Sequence, residues 1–266
     1  MKKKPNFALS FVLMVIAILY LPILLIVVFS FSEKNIISLS GGFNFGFGLF
    51  ERLFQNGDLM AAVGHTLTVA AASAFIATII ATMAGVGILK MRPKQKNAVM
   101  AFNQLPIINA DIVTSLSIVL FFVTLGVTNA GYFKLILAHT LIALPFCLLT
   151  IMPRLRQLDD NLFDAALDLG ATPIRAFITV IVPQLLPAMI NAFLLGFTLS
   201  LDDFVITQYN NDGISTISTT VYGAINKGYI PAEMRALTTI IFVAIFCVLV
   251  IINVTKKNKK GENKNG

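Results

Sequence analysis

The sequence predicts an all-α membrane protein with six transmembrane helices and with both termini in the cytoplasm. Two observations lead to this prediction. The 266-residue chain is 57% hydrophobic and only 12% charged, with a mean hydropathy of +0.84, whereas soluble domains carry about 25% charged residues. Its basic residues are also distributed unevenly between alternate loops, which is the pattern that sets orientation in a membrane.

Six apolar segments are long enough to cross a bilayer, which takes about 20 residues in a helix. No polar block reaches the roughly 50 residues of a small soluble domain. The sequence therefore predicts one transmembrane domain over residues 1–255 and a basic cytoplasmic tail over 256–266. The first segment is longer than the apolar core of a signal peptide, about 7–15 residues, so it is expected to be a retained span. The predicted spans cover residues 8–31, 61–89, 98–125, 133–152, 185–206 and 237–254.

The positive residues distinguish the two sides of the predicted bundle. Of the 20 Lys and Arg residues, fifteen fall on the side that holds both termini and five on the other. Because positively charged loops stay in the cytoplasm, both ends are predicted to lie inside the cell. The same asymmetry accounts for the net charge of +7 without a nucleic-acid partner. The cytoplasmic set is Lys2, Lys3, Lys4, Lys90, Arg92, Lys94, Lys96, Arg154, Arg156, Arg175, Lys256, Lys257, Lys259, Lys260 and Lys264.

A cytoplasmic stretch over residues 159–183 is partly polar and does not fit a span. Gly170 stands where a helix ends in a left-handed turn, which glycine adopts without steric cost. Thr172 and Pro173 suit the cap and the first turn of a second helix. Pro183 is expected to bend the chain before the fifth span. These residues predict a helical hairpin that points away from the membrane.

The hairpin resembles the EAA loop of permease subunits of binding-protein-dependent ABC importers. The family pattern is Glu-Ala-Ala, three residues, Gly, and a hydrophobic run into Pro; here Asp replaces the Glu. The resemblance implies the MetI-like fold of type I importer permeases. It also implies that this loop couples the chain to an ATPase, because in the family it docks into a cleft on that subunit. The matching residues are Asp164, Ala165, Ala166, Gly170, Ala171 and Pro183.

The resemblance also implies partners and a location. One six-span chain supplies half a pathway, so a second permease subunit, two ATP-binding subunits and an extracytoplasmic solute-binding protein are expected in a bacterial cell membrane, surrounded by lipid. The sequence has no Walker-type Gly-rich loop, so ATP hydrolysis is assigned to another chain.

No catalytic or metal cluster stands out in the sequence. His65 and His139 lie in apolar runs with no acid or cysteine close by, which argues against a metal site. A hydrogen bond to a neighbouring helix or to interfacial water is expected for each. The chain is therefore expected to be no enzyme and to need no cofactor.

Further segments look like the C-type permease of spermidine/putrescine importers, which implies polyamine cargo and a polyamine-binding protein as partner. Permeases for other solutes share the EAA loop, so another cargo is an alternative. An ion-coupled secondary transporter is a second alternative. The sequence, however, shows no inverted repeats of the kind found in many such transporters, and this alternative does not explain the hairpin. The similar segments are 49–70, 109–126, 197–207 and 221–240.

Three acids lie in or beside the predicted spans, namely Asp111, Asp202 and Asp203, and spans 98–125 and 185–206 contain no lysine or arginine. An acid at a helix centre costs about 2.5–3.5 kcal/mol on insertion scales. A cationic solute would be a natural counter-charge. In the competing interpretation the acids are structural: one of the adjacent pair bonds neighbouring backbone, the other meets water, and Asp111 bonds a helix.

Tyr222 is a candidate to add a cation–π face to the pathway. Its alternative is a place in an aromatic belt at the membrane interface.

Helix geometry gives the two adjacent acids different faces. Because neighbouring helical residues point about 100° apart, Asp202 would continue the face of Thr198. Asp203 would continue the face of Gly196 and Ser200, which is small enough for close helix packing.

The topology can be tested by labelling single cysteines in a background that lacks Cys147 and Cys247. A cysteine at Asn211 should react with an impermeant reagent from outside the cell, and a cysteine at Asn258 should react only after lysis. The reverse pattern would contradict the orientation that the charge asymmetry predicts.

Overall fold

The computed structural model describes residues 7–32, 44–127, 130–159, 161–228, 230–244 and 246–247. In this part of the chain the regular structure is helical, and the β pairing found there is an isolated bridge between Ser32 and Phe45. The all-α class is thus confirmed for the described residues. The tail over 256–266 and the end of the predicted span over 237–254 lie outside them.

Eleven α-helices with defined bounds follow one another in the described residues, and residues 233–244 add a further helical segment. A five-residue π-helical turn, Phe177–Ile181, joins α8 to α9. The helices are α1 (Phe7–Ser30), α2 (Gly48–Gln55), α3 (Gly57–Leu89), α4 (Pro93–Ile108), α5 (Asp111–Thr124), α6 (Tyr132–Leu155), α7 (Asn161–Asp168), α8 (Pro173–Ala176), α9 (Val182–Asp202), α10 (Val205–Asn210) and α11 (Ile217–Asn226).

Four described helical runs are long and apolar enough to cross a membrane, which makes the chain a multi-pass membrane protein. Counting a bent pair of helices as one crossing raises the number to five. The count of six and the orientation of the termini stay predictions. The four runs are Phe11–Ser30, Gly57–Leu89, Tyr132–Leu155 and Pro173–Asp202.

The segment predicted as a span over residues 98–125 differs from a single straight helix. It forms α4 and α5, which are bent by 105° relative to each other. Asn109 and Ala110 between them have extended backbone, and the amide of Asn109 donates to the Thr114 hydroxyl at 3.4 Å. Asp111, expected near the middle of a span, instead opens α5, where a helix N-terminus favours negative charge.

Residues 61–220 form one compact unit in which α6 packs along α9. The contact is close because Gly196 of α9 has no side chain: a Cβ atom there would lie 3.1 Å from the Cys147 sulfur and 3.5 Å from the side chains of Ala143 and Ala74. Ser200, one turn later, is also buried. The prediction that the Gly196–Ser200 face allows close packing is therefore confirmed.

The described residues of 1–60 and 221–266 form the second unit. This unit contains an aromatic cluster around Phe31. The centre of the Phe31 ring lies 5.4–5.7 Å from the ring centres of Phe45, Phe47 and Phe50. The backbone N–H of Gly46 donates to the carbonyl of Phe31 at 2.8 Å and ties the two segments together. Phe31, Phe45, Phe47 and Phe50 thus form one contact group.

Replacing Gly196 by Val should destabilise the packing of α6 against α9. Overpacking a well-filled interior costs typically about 1–3 kcal/mol, so we expect a lower midpoint of thermal unfolding in detergent. Gly64→Val is the matched control, because a Cβ at Gly64 of α3 has no atom within 4 Å. Equal midpoints for the two variants would contradict the close packing.

Candidate functional site

The hairpin predicted at residues 159–183 is present, and its turn has the geometry that the sequence indicated. Gly170 has φ +85°, in the left-handed region. The N–H of Gly170 donates to the carbonyl of Leu167 at 2.8 Å, and that of Ala171 donates to the carbonyl of Ala166 at 3.0 Å. These two bonds are the Schellman pattern that ends a helix at a left-handed glycine.

The second helix of the hairpin also begins as predicted. The Thr172 hydroxyl accepts from the backbone N–H of Arg175, and Pro173 occupies the first turn of α8. Pro183, which was expected to bend the chain, instead lies in the first turn of α9. The π-helical turn before it shifts the hydrogen bonding, so that the N–H of Val182 reaches the carbonyl of Phe177. The helical run therefore continues past the proline.

The two faces of the hairpin differ in exposure. Ala166 of α7 and Ala176 of α8 are buried, whereas the Asp164 and Ala165 side chains are exposed. Two large apolar side chains project at the tip, since Leu169 is 89% exposed and Ile174 is 73% exposed. Ile181, further along the same helical run, is buried.

A groove of about 370 Å³ lies between the hairpin and the ends of α3 and α6. It is lined by apolar side chains such as Leu89 and Leu155, and by the carboxyl groups of Asp159 and Asp164. The ammonium group of Lys90 lies 4.4 Å from the ring centre of Phe163. This cation–π contact connects α7 to the residue that follows α3.

The opposite end of α9 is a helix break at the acidic pair. The span predicted over 185–206 does not run through, because α9 ends at Asp202 and Asp203 has extended backbone, with φ −74° and ψ 118°. After the break, α10 starts at Val205. The prediction that Asp203 continues the helix face of Gly196 and Ser200 is therefore wrong, because Asp203 lies outside the helix.

Asp203 turns inward and bonds the backbone. Its Oδ1 accepts from the N–H of Ile206 at 3.2 Å, so it caps α10. Its backbone carbonyl accepts from the hydroxyl groups of Thr207 at 3.2 Å and Ser218 at 3.1 Å. Its Oδ2 is buried and has no hydrogen-bond partner among the described residues. This geometry matches the structural interpretation of one acid of the pair.

Asp202 and Asp111 are exposed, unlike Asp203. Asp202 continues the exposed face of Thr198, as predicted. Asp202 directly precedes Asp203, and α5, which begins at Asp111, packs against α10, which follows Asp203. The three acids that the sequence singled out therefore belong to elements that meet at the break. Tyr222 lies on α11 and is 44% exposed; its role in a pathway stays a prediction.

His139 of α6 lies directly against the helix break. Its Nδ1 is 2.8 Å from the Ser200 hydroxyl and its Nε2 is 3.0 Å from the Thr207 hydroxyl. The expectation of a hydrogen bond to a neighbouring helix is thus confirmed for this residue. The sequence carries no local signal for its position at the break, because its partners are 61 and 68 residues away.

A buried ion pair near the start of α6 was also not predicted. The ammonium group of Lys134 lies 2.9 Å from Oδ1 of Asp212, and both side chains are largely buried. Asp212 also accepts from the N–H of Ala130 through Oδ2 at 3.1 Å. Lys134 is one of the five basic residues that the charge pattern places on the outer side, and its ammonium group is paired with Asp212.

Comparison with known protein families adds an independent observation. The profile of the family described as "Binding-protein-dependent transport system inner membrane component" matches residues 76–256. The putrescine transport system permease protein PotI of Escherichia coli K12 is 34% identical over 234 residues, which cover 85% of this chain and 82% of PotI. The spermidine/putrescine transport system permease protein PotC of Haemophilus influenzae is 33% identical over 253 residues, covering 94% and 96%.

Solved structures show the same fold at lower identity. A chain of a bacterial ABC transporter that imports the acidic polysaccharide alginate has a TM-score of 0.62 at 16% identity, with 96% of each chain covered. A chain of the MetNI methionine ABC transporter in an inward-facing conformation has a TM-score of 0.54 at 20% identity, covering 73% of this chain and 90% of its own.

Proposed function

Because the chain belongs to the family of inner membrane components of binding-protein-dependent transport systems, we propose that it is the permease subunit of an ABC importer that carries polyamines into the cell. Spermidine and putrescine are the expected cargo. The observation that carries this proposal is the identity of 33–34% with two polyamine permeases over most of the chain. ATP hydrolysis on separate subunits supplies the energy.

The charges near the helix break support a cationic cargo. Neither α5 nor α9 contains a lysine or arginine, so Asp111 and Asp202 have no cation on their own helices. A protonated amine about 4 Å from a carboxylate gains up to a few kcal/mol at an effective dielectric near 20. That attraction is strong enough to order a chain of amines and weak enough to release it.

The fold by itself does not select the cargo, since a transporter of an acidic polysaccharide has it as well. An importer for another small solute is therefore the second candidate. Exposed carboxylates would repel an anion, which favours the polyamine over an acidic solute.

The assembly follows from the family. A second permease subunit completes the pathway, two ATP-binding subunits bind the cytoplasmic hairpins, and an extracytoplasmic binding protein delivers the cargo to the outer side. The chain would cross the inner membrane of a bacterium six times, with both ends in the cytoplasm. The exposed tip side chains, Leu169 and Ile174, supply the apolar contact with an ATPase subunit.

Gly170→Val should uncouple the hairpin from the ATPase. A side chain at φ +85° strains the turn by about 1–2 kcal/mol and shifts the tip. We expect the variant to insert in the membrane, to lose the ATPase subunits on detergent extraction and to lose uptake. Gly87→Val is the control, because Gly87 is helical with no neighbour within 4 Å of a Cβ. Normal uptake by Gly170→Val would reject the coupling role.

Asp202→Asn and Asp111→Asn should each lower uptake of radiolabelled spermidine or putrescine, because each removes one exposed negative charge while keeping the side-chain shape. Expression and association with the ATPase should persist. Asp58→Asn is the matched control, since Asp58 is an exposed acid in the first turn of α3, outside this trio.

The double variant Asp111→Asn/Asp202→Asn gives the decisive result for the acids. Unchanged polyamine uptake would remove both from the pathway and leave the importer assignment intact. Uptake of a neutral or anionic solute by the parent transporter, without polyamine uptake, would reject the cargo.

A further inference from the structure

The break between α9 and α10 is bridged by one imidazole ring. Ser200 lies in the last turn of α9, before the break, and Thr207 lies in α10, after it. The two ring nitrogens of His139 contact the hydroxyl groups of these residues, at 2.8 Å and 3.0 Å. All three side chains are buried. One residue of α6 therefore contacts both ends of the break.

The hydrogen-bond partners determine which nitrogen carries the proton. The Thr207 hydroxyl donates its single hydrogen to the backbone carbonyl of Asp203, because a carbonyl oxygen only accepts. Thr207 must then accept from the ring, so Nε2 of His139 carries the hydrogen. In the neutral ring Nδ1 is then the acceptor, and the Ser200 hydroxyl donates to it.

The Asp203 carboxyl group gives an independent reason for the same tautomer. Its Oδ2 lies 3.9 Å from Nε2 of His139. An N–H directed toward a carboxylate is attracted, whereas the lone pair of an unprotonated nitrogen would be repelled. The oxygen that lacks a hydrogen-bond partner among the described residues thus faces the N–H edge of the ring.

The Ser200 hydroxyl also lies 3.3 Å from the Ser73 hydroxyl of α3, which is itself 3.3 Å from the carbonyl of Ala70. The donors run in one direction from Ser200 through His139 to Thr207, and they end at the carbonyl of Asp203. Three helices, α9, α6 and α10, are connected by this chain, and its terminal acceptor is the backbone of the acidic residue at the break.

We propose that His139 is the positioning residue of the acidic break: its neutral imidazole, protonated on Nε2, joins the end of α9 to the start of α10 and fixes Asp203 in its inward orientation. The link to transport rests on the proposed function, in which the acids of the break handle the cargo. The positioning itself does not depend on that function.

The role suits histidine because a neutral imidazole has a donor and an acceptor on two separated ring positions. A glutamine amide can place an N–H near the position of Nε2, and so keep the bond to Thr207 while losing that to Ser200. Leucine fills the space and makes neither bond. His139→Gln therefore removes the bond to Ser200 alone, and His139→Leu removes the bonds to both Ser200 and Thr207.

The tautomer is measured directly by nitrogen NMR of the assembled transporter in which this chain alone is labelled with ¹⁵N-histidine. The chain has two histidines, and His65→Gln assigns the signals. We expect the shifts of a neutral ring with Nε2 protonated, a change confined mainly to Nε2 in Thr207→Val, and a change confined mainly to Nδ1 in Ser200→Ala. A ring protonated on Nδ1, or on both nitrogens, would overturn the proposal.

The consequence for transport is measured as the initial rate of polyamine uptake at equal amounts of assembled transporter. His139→Leu should lower the rate by about tenfold, because it leaves two buried hydroxyl groups without their partner. His139→Gln should restore a substantial part of it. Thr82→Val is the matched control with unchanged uptake, since the hydrogen bond of the buried Thr82 hydroxyl among the described residues goes to the carbonyl of Thr78 in its own helix.

The two measurements distinguish the two ideas. If the parent transporter takes up no polyamine and the NMR result is as expected, the proposed cargo fails and the positioning role stands. If the parent takes up polyamine and His139→Leu transports at the parental rate, the positioning role is rejected. Equal loss in His139→Gln and His139→Leu, with assembly intact in both, would also reject it, because the bond to Thr207 would then have no separate effect.

Discussion

The structure depends on how the chain satisfies its backbone groups where α9 ends in a packed interior. A helix end leaves N–H and C=O groups without partners, and burial without partners costs free energy. Asp203 provides several of the partners that are needed at this helix end. Its Oδ1 accepts a hydrogen bond from the N–H of Ile206, and its backbone carbonyl accepts from the hydroxyl groups of Thr207 and Ser218. One acid of an adjacent pair is therefore used to close the break. Asp202, on the last turn of the helix, is left exposed.

Close packing of α6 against α9 makes the polar chain at the break possible. Gly196 brings the two helices together at Cys147 and Ala143. One turn further, the same approach places the Ser200 hydroxyl 2.8 Å from Nδ1 of His139. A larger residue at 196 would separate the helices and lengthen that bond. An apolar contact thus sets the distance on which the buried hydrogen bonds depend.

The parts of the structure that were predicted from the sequence are those with local signals. Gly170, Thr172 and Pro173 each act within a few residues of themselves, and the hairpin turn and caps are found where they indicated. In contrast to the hairpin, the inward turn of Asp203 and the 105° bend before Asp111 were not predicted from the sequence. Each lies where distant segments meet, since the Ser115 hydroxyl of α5 donates to the carbonyl of Val205, 90 residues away, just after the break. Hydrophobicity marks both segments as spans but does not show where a helix breaks.

The structure distinguishes an acid that is paired inside the fold from acids that are exposed. Asp212 is buried against Lys134 and accepts from backbone, so both of its oxygens are used. Asp111 and Asp202 are exposed, and their helices supply no cation. A carboxylate at such a position is stabilised by water or by a mobile cation, and a protonated amine is both charged and a hydrogen-bond donor. Asp212 is thus paired within the structure, whereas Asp111 and Asp202 are exposed.

The hairpin and the acidic break belong to the same piece of helix. The run from Pro173 to Asp202 is 30 residues long, which corresponds to about 45 Å at 1.5 Å per residue. Its first turn carries Ile174 at the exposed tip, and its last turn carries Ser200, which bonds His139. A displacement of the hairpin along this axis would act on the hydrogen bonds that hold the break. At the π-helical turn Phe177–Ile181 the backbone hydrogen bonds of the run depart from the α-helical pattern. Such turns are frequently found at functional sites in proteins. One continuous element therefore connects the proposed ATPase contact with the acids of the break.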